Sequence, residues 1–469
     1  MIFSDRPLRP LEYRRLGGSN QTSYQSLSPA RFEASPFRPG ERILSTHYGR
    51  CSIFELARIW FVMILAKSAT LALRWGMGED DMFDETCVYF WPVGTGDSTT
   101  FVVRPNEVVF QVDLRHSHKS EDEETDCSPV IDYLEKHLPK VAGKPYLSAF
   151  AITHPDKDHI QGFEELLERV TVGELWFSPR IFREHDDDPD SLGDDAKAFR
   201  DEAHRRVTAT VKAGGDPGIG NRVRLVGWDD LLGEEHYQGF PPEFFSVPGD
   251  IVESLDGDDL SGEFRAFIHG PFKQGSDEDV GDRNDTSLAM QVVLGDDPSA
   301  GGVLLFGDHK YPVIRKIFDV TKAHGKEANL LWQVLLAPHH CSKSVMYQDE
   351  DGKEILKQDI LDDLGRYQVG AGYVVASANS IPASNKEGDN PPHAKAKARY
   401  QELATGGFVC PHDDGGHAEP LKFAVDGSDI EYAETKGVEK GKSVLAAAVS
   451  AARGSDATPS TKVGFGCPN

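Results

Sequence analysis

Residues Ile152-Thr153-His154-Pro155-Asp156-Lys157-Asp158-His159-Ile160-Gln161-Gly162 place two histidines and two aspartates within six positions. Neutral imidazole nitrogen and carboxylate oxygen are the donors that a borderline or hard divalent cation takes. Without a cation, carboxylates this crowded would repel one another. The pattern therefore points to metal-assisted chemistry rather than to a solvated polar loop. The flanking elements must position it. Leu147 to Ile152 is an apolar run that predicts a buried strand, and Gly162-Phe163-Glu164-Glu165-Leu166-Leu167 predicts a helix start. The donors thus sit on a strand-to-helix turn.

The spacing His154-x-Asp156-x-Asp158-His159 resembles the second motif of the metallo-β-lactamase superfamily, with Asp156 where a histidine normally stands. This variant, followed by a glycine, is similar to the hydrolase domain of the DNA-uptake protein ComEC. Four more segments carry the resemblance. Tyr89 to Ser98 is similar to the opening "DVGQGDS", and Asn284-Asp285-Thr286-Ser287-Leu288 to the "NxxSL" strand. Leu305-Phe306-Gly307-Asp308 resembles "LxGD", and Pro338-His339-His340-Cys341-Ser342 resembles "HHGS". Trp91-Pro92, Thr95 and Cys341 depart from the pattern; Cys341 replaces a glycine, whose backbone freedom it lacks.

The resemblance implies an α/β fold, an αββα sandwich of two mixed sheets with helices outside, over residues 84–435. It implies two divalent metal ions, manganese or zinc. One would be held by His154 and Asp156, the other by Asp158 and His159, with Asp308 bridging. The last ligand is His339 or His340. The pair is expected to end a strand from Leu331 to Ala337, where neighbouring side chains point to opposite faces, so only one meets the site. Asp113, closing the strand-like run from Val108, corresponds to an acid that braces the metal loop from outside. The family's third-motif histidine is not evident; Asn284-Asp285 stands near its place. An oxygen-rich site shifts preference from zinc toward manganese or magnesium. Two cations would turn a shared water into a hydroxide nucleophile, and Asp158 is placed to orient it. Lys343 and His393 are candidates for stabilising substrate charge or protonating a leaving oxygen. The activity implied is a phosphodiesterase or nuclease. The alternatives are another ester class (a lactone, a thioester, a choline phosphoester) or a catalytically weakened binding module.

A formal charge of −26 over 469 residues opposes nucleic-acid binding, which needs a basic track. The candidate track is a predicted helix, Ala196 to Ala213, carrying Arg200, Arg205, Arg206 and Lys212, with Lys343 beside the site. The acidic runs Glu184 to Asp190 and Asp250 to Asp259 read as solvated faces. His116-Ser117-His118, followed by Glu121 to Glu124, reads as a solvated loop. His269 reads as a strand-end histidine, with an extra metal ligand as the other possibility. Ser128 is the expected N-cap of a helix from Pro129 to His137, and Ala394 to Leu403 predicts another helix.

Residues 1–83 read as an irregular arm with an amphipathic helix from Ile53 to Trp75. Its apolar stretch Ile59 to Ala66 is far short of the ~20 residues that span a bilayer. The helix could lie on the main domain, on a partner or on a membrane surface; packing on protein is expected, since its basic face is thin. Met77 or Met82 is an alternative start, with the arm as upstream sequence. Residues 436–469 read as a mobile tail. Six cysteines without a CxxC pair, no secretory signal and no spanning segment suit a cytoplasmic protein.

Overall fold

The computed structural model describes residues 82–433 apart from 117–126, 188–189, 274–282, 301, 387–389, 415–417 and 428. The arm and its helix, His118 with the acids after it, and the tail lie outside the described residues.

Among the described residues, sixteen strands and the short segment Lys140–Val141 build two facing sheets. In chain order they are β1 (Cys87–Phe90), β2 (Thr99–Arg104), β3 (Val108–Val112), β4 (Lys144–Ala151), β5 (Thr171–Phe177), β6 (Arg222–Val226), β7 (Phe245–Ser246), β8 (Ile251–Val252), β9 (Arg265–Gly270), β10 (Ala289–Val293), β11 (Gly302–Leu305), β12 (Trp332–Leu336), β13 (Gln368–Val375), β14 (Gly407–Val409), β15 (Leu421–Asp426) and β16 (Asp429–Ala433). The first sheet runs β16-β15-β1-β2-β3-β4-β5-β6-β7, with Lys140–Val141 added beside β4. The second runs β14-β13-β12-β11-β10-β9-β8. Both are mixed. In the first, β3 through β7 pair in parallel while β1, β2 and β3 alternate. In the second, β11 through β14 are parallel and β9 to β11 antiparallel.

Alternation along each strand makes the layers. Val88 and Phe90 of β1 join a core between the sheets with Val303 and Leu305 of β11. Cys87 and Tyr89 point outward, into a second core with Ile131, Phe163 and Phe199 from the helices of that face. Leu304 and Phe306 enter a third core with Ile314, Leu364 and Tyr400 on the opposite face. The layering is αββα. The outer helices of the first face are α1 (Val130–His137), α2 (Lys157–Ile160), α3 (Phe163–Arg169) and α4 (Asp194–Ala213). Those of the second are α5 (Tyr311–Ala323), α6 (Gln358–Arg366) and α7 (Ala394–Leu403).

Several local expectations change. Ser128 does not cap α1; Pro129 holds that position, and the Ser128 hydroxyl bonds Ala418 O instead. His116 is buried, with its N–H donated to Gln161 O and its ring against Glu165. It packs so closely on Gly162 (φ +95°) that a Cβ there would lie 2.6 Å from the His116 Cβ. Part of the acidic run from Asp250 is built in rather than solvated: Asp256 pairs with Arg222 at 2.8 Å and accepts from Tyr146.

Candidate metal centre

Strand direction gathers the site. The β1–β2 loop and the segments after β3 and β4 leave the first sheet at one edge. The segments after β11 and β12 leave the second sheet at the same opening, where Leu288 N donates to Thr153 O across the seam (2.8 Å). Asp113 follows β3, His154 to His159 follow β4, Asp308 follows β11, and His339-His340 follow β12.

Asp113 organises the first-sheet side. Its Oδ1 accepts from Thr153 N at 2.7 Å, and its Oδ2 accepts from Thr153 Oγ1 at 2.7 Å and His159 Nδ1 at 2.8 Å. With its hydrogen committed to Asp113, Thr153 Oγ1 is left to accept from His154 Nδ1, 3.1 Å away. One carboxylate thus sets both rings, and the Nε2 lone pairs of His154 and His159 face the opening.

The second sheet supplies the facing groups. Asp308 lies between the rings: its Oδ2 is 3.7 Å from His154 Nε2, 3.7 Å from His339 Nε2 and 3.5 Å from His340 Nε2, and its Oδ1 is 3.4 Å from His159 Nε2. Asp156 Oδ2 is 3.7 Å from His154 Nε2, and Asp158 Oδ2 is 3.2 Å from His340 Nε2. His159 and His340 point their Nε2 atoms at each other across 3.2 Å. These separations suit a shared cation: donors about 2.1 Å from a tetrahedral ion stand about 3.4 Å apart. Asp97 Oδ1, His154 Nε2, Asp308 Oδ1, His339 Nδ1 and His340 Nδ1 are buried without a hydrogen-bond partner. Buried polar atoms are normally paired, so the donor set fits a bound cation.

Protonation follows the same geometry. Burial, and then His159, push His154 down to about 3, leaving a neutral ring. Burial also disfavours charge on His340, yet Asp308 and Asp97 hold it up at about 10. His159 is likewise lifted against burial by Asp308 and Asp113. Burial would raise Asp308, but His340 and His159 hold it well below the usual carboxylate range.

The expectation that His339 and His340 end a strand is corrected. Strand β12 stops at Leu336, and His339, His340 and Cys341 all adopt left-handed backbone (φ +51°, +51° and +65°). Strand alternation therefore does not apply, and both rings approach Asp308. Three consecutive left-handed L-residues cost roughly 1–2 kcal/mol each. Hydrogen bonds from His339 N to Gly307 O (3.1 Å) and from His393 N to Cys341 O (3.1 Å) hold the turn. Cys341 thus occupies a conformation better suited to glycine.

The other candidates separate. His393 is buried, and its Nδ1 accepts from Lys343 N at 3.2 Å, bracing the left-handed turn. The Lys343 ammonium lies 2.6 Å from Glu354, which also pairs with Lys395. His269 is outside the cluster, with Nε2 2.9 Å from Asn329 O. Asp97 was missed as a site residue. Its signal was its place in the Tyr89 to Ser98 segment, as the acid that follows the Gly94-Thr95-Gly96 turn. The structure buries it with Oδ1 3.4 Å from His340 Nδ1, and Asp97, His159, Asp308 and His340 offer ligand atoms within 4.8 Å of one another.

No protein-family model matches this chain, and no curated protein does. Among solved structures, it is similar to the metallo-beta-lactamase fold protein YhfI from Bacillus subtilis, at 11% identity, with 70% of this chain and 96% of that chain covered and a TM-score of 0.33. Among the described residues, no helix is long and apolar enough to cross a membrane.

Proposed function

We propose that this chain is a metal-dependent hydrolase of the metallo-β-lactamase superfamily that uses two divalent cations to cleave a small phosphodiester. The observation that carries this reading is the convergence of His154, His159, His339 and His340 on Asp308 at 3.4–3.7 Å, with buried ring nitrogens left unpaired. Asp156 lies beside His154, and Asp158 beside His340, whose Nε2 faces that of His159. Two bound cations would acidify a shared water and spread the charge of the ester oxygens. The Asp158 side chain is 36% exposed, against 5% for Asp308, so it is the carboxylate open to an incoming water and its proton.

A small substrate is favoured over long nucleic acid because the supposed basic track is already neutralised. Arg205 and Arg206 both bind Glu202 at 2.7 Å, Arg200 binds Asp201 at 2.8 Å, and Arg206 is buried. Together with the −26 charge, this leaves little to displace counterions.

The test is metal uptake and turnover after chelation. The apoprotein should take up about two manganese ions and hydrolyse bis-p-nitrophenyl phosphate. Manganese should exceed zinc at equal occupancy, and Asp156→His should move preference toward zinc. Turnover without bound metal would sink the reading. Turnover confined to lactones or thioesters would replace the phosphodiester, and preferential cleavage of long nucleic acid would restore the nuclease.

A further inference from the structure

Asp97 and His340 form a second carboxylate–imidazole pair beside Asp113 and His159. Asp97 Oδ1 lies 3.4 Å from His340 Nδ1, and neither atom has a hydrogen-bond partner, although both are buried. The two pairs mirror each other: each ring turns Nδ1 toward a carboxylate and Nε2 toward the other ring. The pairs differ in tightness, 2.8 Å against 3.4 Å.

The loop carrying Asp97 is firmly seated. Asp97 N donates to Asp158 O at 3.1 Å, Ser377 Oγ donates to Gly96 O, and the Arg115 guanidinium donates to Thr95 O. Gly96 is pressed between neighbours: a Cβ there would sit 2.5 Å from Arg115 Cδ and 2.6 Å from Asp158 O. A carboxylate on such a loop has a fixed aim. Proximity alone would admit Asp97 as a metal ligand. Its oxygens, however, approach the Nδ1 atoms of His340 (3.4 Å) and His159 (3.9 Å), whereas a cation bonded to Nε2 lies on the other side of each ring.

We propose that Asp97 is a positioning residue that accepts from His340 Nδ1–H and thereby aims the Nε2 lone pair at the cation, without ligating it. This rests on the metal-dependent reading above. A cation held through Nε2 would make Nδ1–H a stronger donor to the Asp97 oxygen 3.4 Å away. The role also ties the β1–β2 loop of the first sheet to a histidine of the second.

Manganese titration of full-length chelated protein decides the matter. Asp97→Ala should weaken binding about 10–100-fold with the number of ions unchanged. Asp97→Asn keeps an acceptor oxygen and should recover most of that affinity. Ring NMR of the zinc-loaded protein should show the His340 Nδ1–H as a hydrogen-bonded, downfield proton in wild type and in Asp97→Asn, and the loss of that downfield shift in Asp97→Ala. A merely structural role would not move that signal. Loss of one bound ion in either variant would make Asp97 a ligand, and unchanged affinity in Asp97→Ala would leave it without a role; either overturns the proposal. Should Asp97→Ala fail to fold, Asp97→Asn alone decides, by ion number and by the ring signal. A wild-type protein that binds no metal would overturn the metal-dependent reading itself, a failure distinct from a variant that matches a metal-binding wild type.

Discussion

His269 and the cluster around Asp308 are both buried histidine environments, yet they are built in opposite ways. His269 donates or accepts at both nitrogens: Nε2 is 2.9 Å from Asn329 O, and Nδ1 is 3.4 Å from Thr321 Oγ1. Phe267 packs against its ring at 4.8 Å. Burial lowers it to about 4, so it is a neutral core residue. In the cluster, His154 Nε2, His339 Nδ1 and His340 Nδ1 have no hydrogen-bond partner. The lesson is that burial alone does not single out a candidate site; the cluster differs by buried nitrogens without a hydrogen-bond partner beside carboxylates.

The largest expected effect breaks the cluster side of that contrast. Asp308→Ala should reduce turnover by roughly three orders of magnitude, beyond the 10–100-fold loss typical of outer residues, and should reduce the bound metal. The far-ultraviolet dichroism should be unchanged. Near-wild-type turnover with full metal content would mean the converging nitrogens were misread.

The contrast extends to cations. Arg206 is buried and satisfied by Glu202, Gly173 O and Val172 O, whereas Arg205 is half exposed and pairs with Glu202 and Asn221. Arg206→Ala should destabilise the fold by about 3 kcal/mol, because the buried Gly173 and Val172 carbonyls lose their donor and Glu202 loses one of its two cations. Arg205→Ala should cost less than about 1 kcal/mol. Neither should change turnover per folded molecule of a small phosphodiester. Urea unfolding alongside the assay separates the two; equal losses would show that Arg206 is not the structural cation.

A smaller effect sharpens the His269 side. Its folded form is neutral down to about pH 4, whereas the unfolded ring titrates near 6.5. Protons therefore favour the unfolded chain. The stability is fully present above pH 6.5 and is lost as pH falls toward 4. Between pH 7 and pH 5 the loss from this ring should be about 2 kcal/mol. Urea unfolding of wild type and His269→Gln at both pH values measures it. Parallel pH dependence in the two proteins would show that His269 is not buried neutral.

The turn from His154 to Gly162 was legible because its donors are contiguous and its flanks have clear strand and helix patterns. Asp308 and the His339-His340 pair were legible as short motifs, and α7 matched its expected bounds of Ala394 to Leu403. The pairing of Asp97 was not, because its segment was legible only as a motif until His340, from the other sheet, arrives beside it. The left-handed backbone at Cys341 was also hidden. That conformation is imposed by contacts with Gly307 and His393, not by local preference. Arg206 read as part of a basic track because a helical charge pattern does not show the Val172 and Gly173 carbonyls that receive it. β16 was missed because its sequence, Asp-Ile-Glu-Tyr-Ala, carries little apolar content. β15 recruits it by register, from Lys422 opposite Ala433 to Asp426 opposite Asp429.

Asp97, Asp113, His154 and His159 hang from the first sheet, while Asp308, His339 and His340 hang from the second. Any ion seated among them is a rivet through the open end of the sandwich. A thousandfold excess of free metal over its dissociation constant would add about 4 kcal/mol to the folded state. Metal starvation would then do more than idle the site: it would unfasten the two halves at their mouth and offer the strained turn to proteases. The lifetime of the protein in a cell would follow its metal supply.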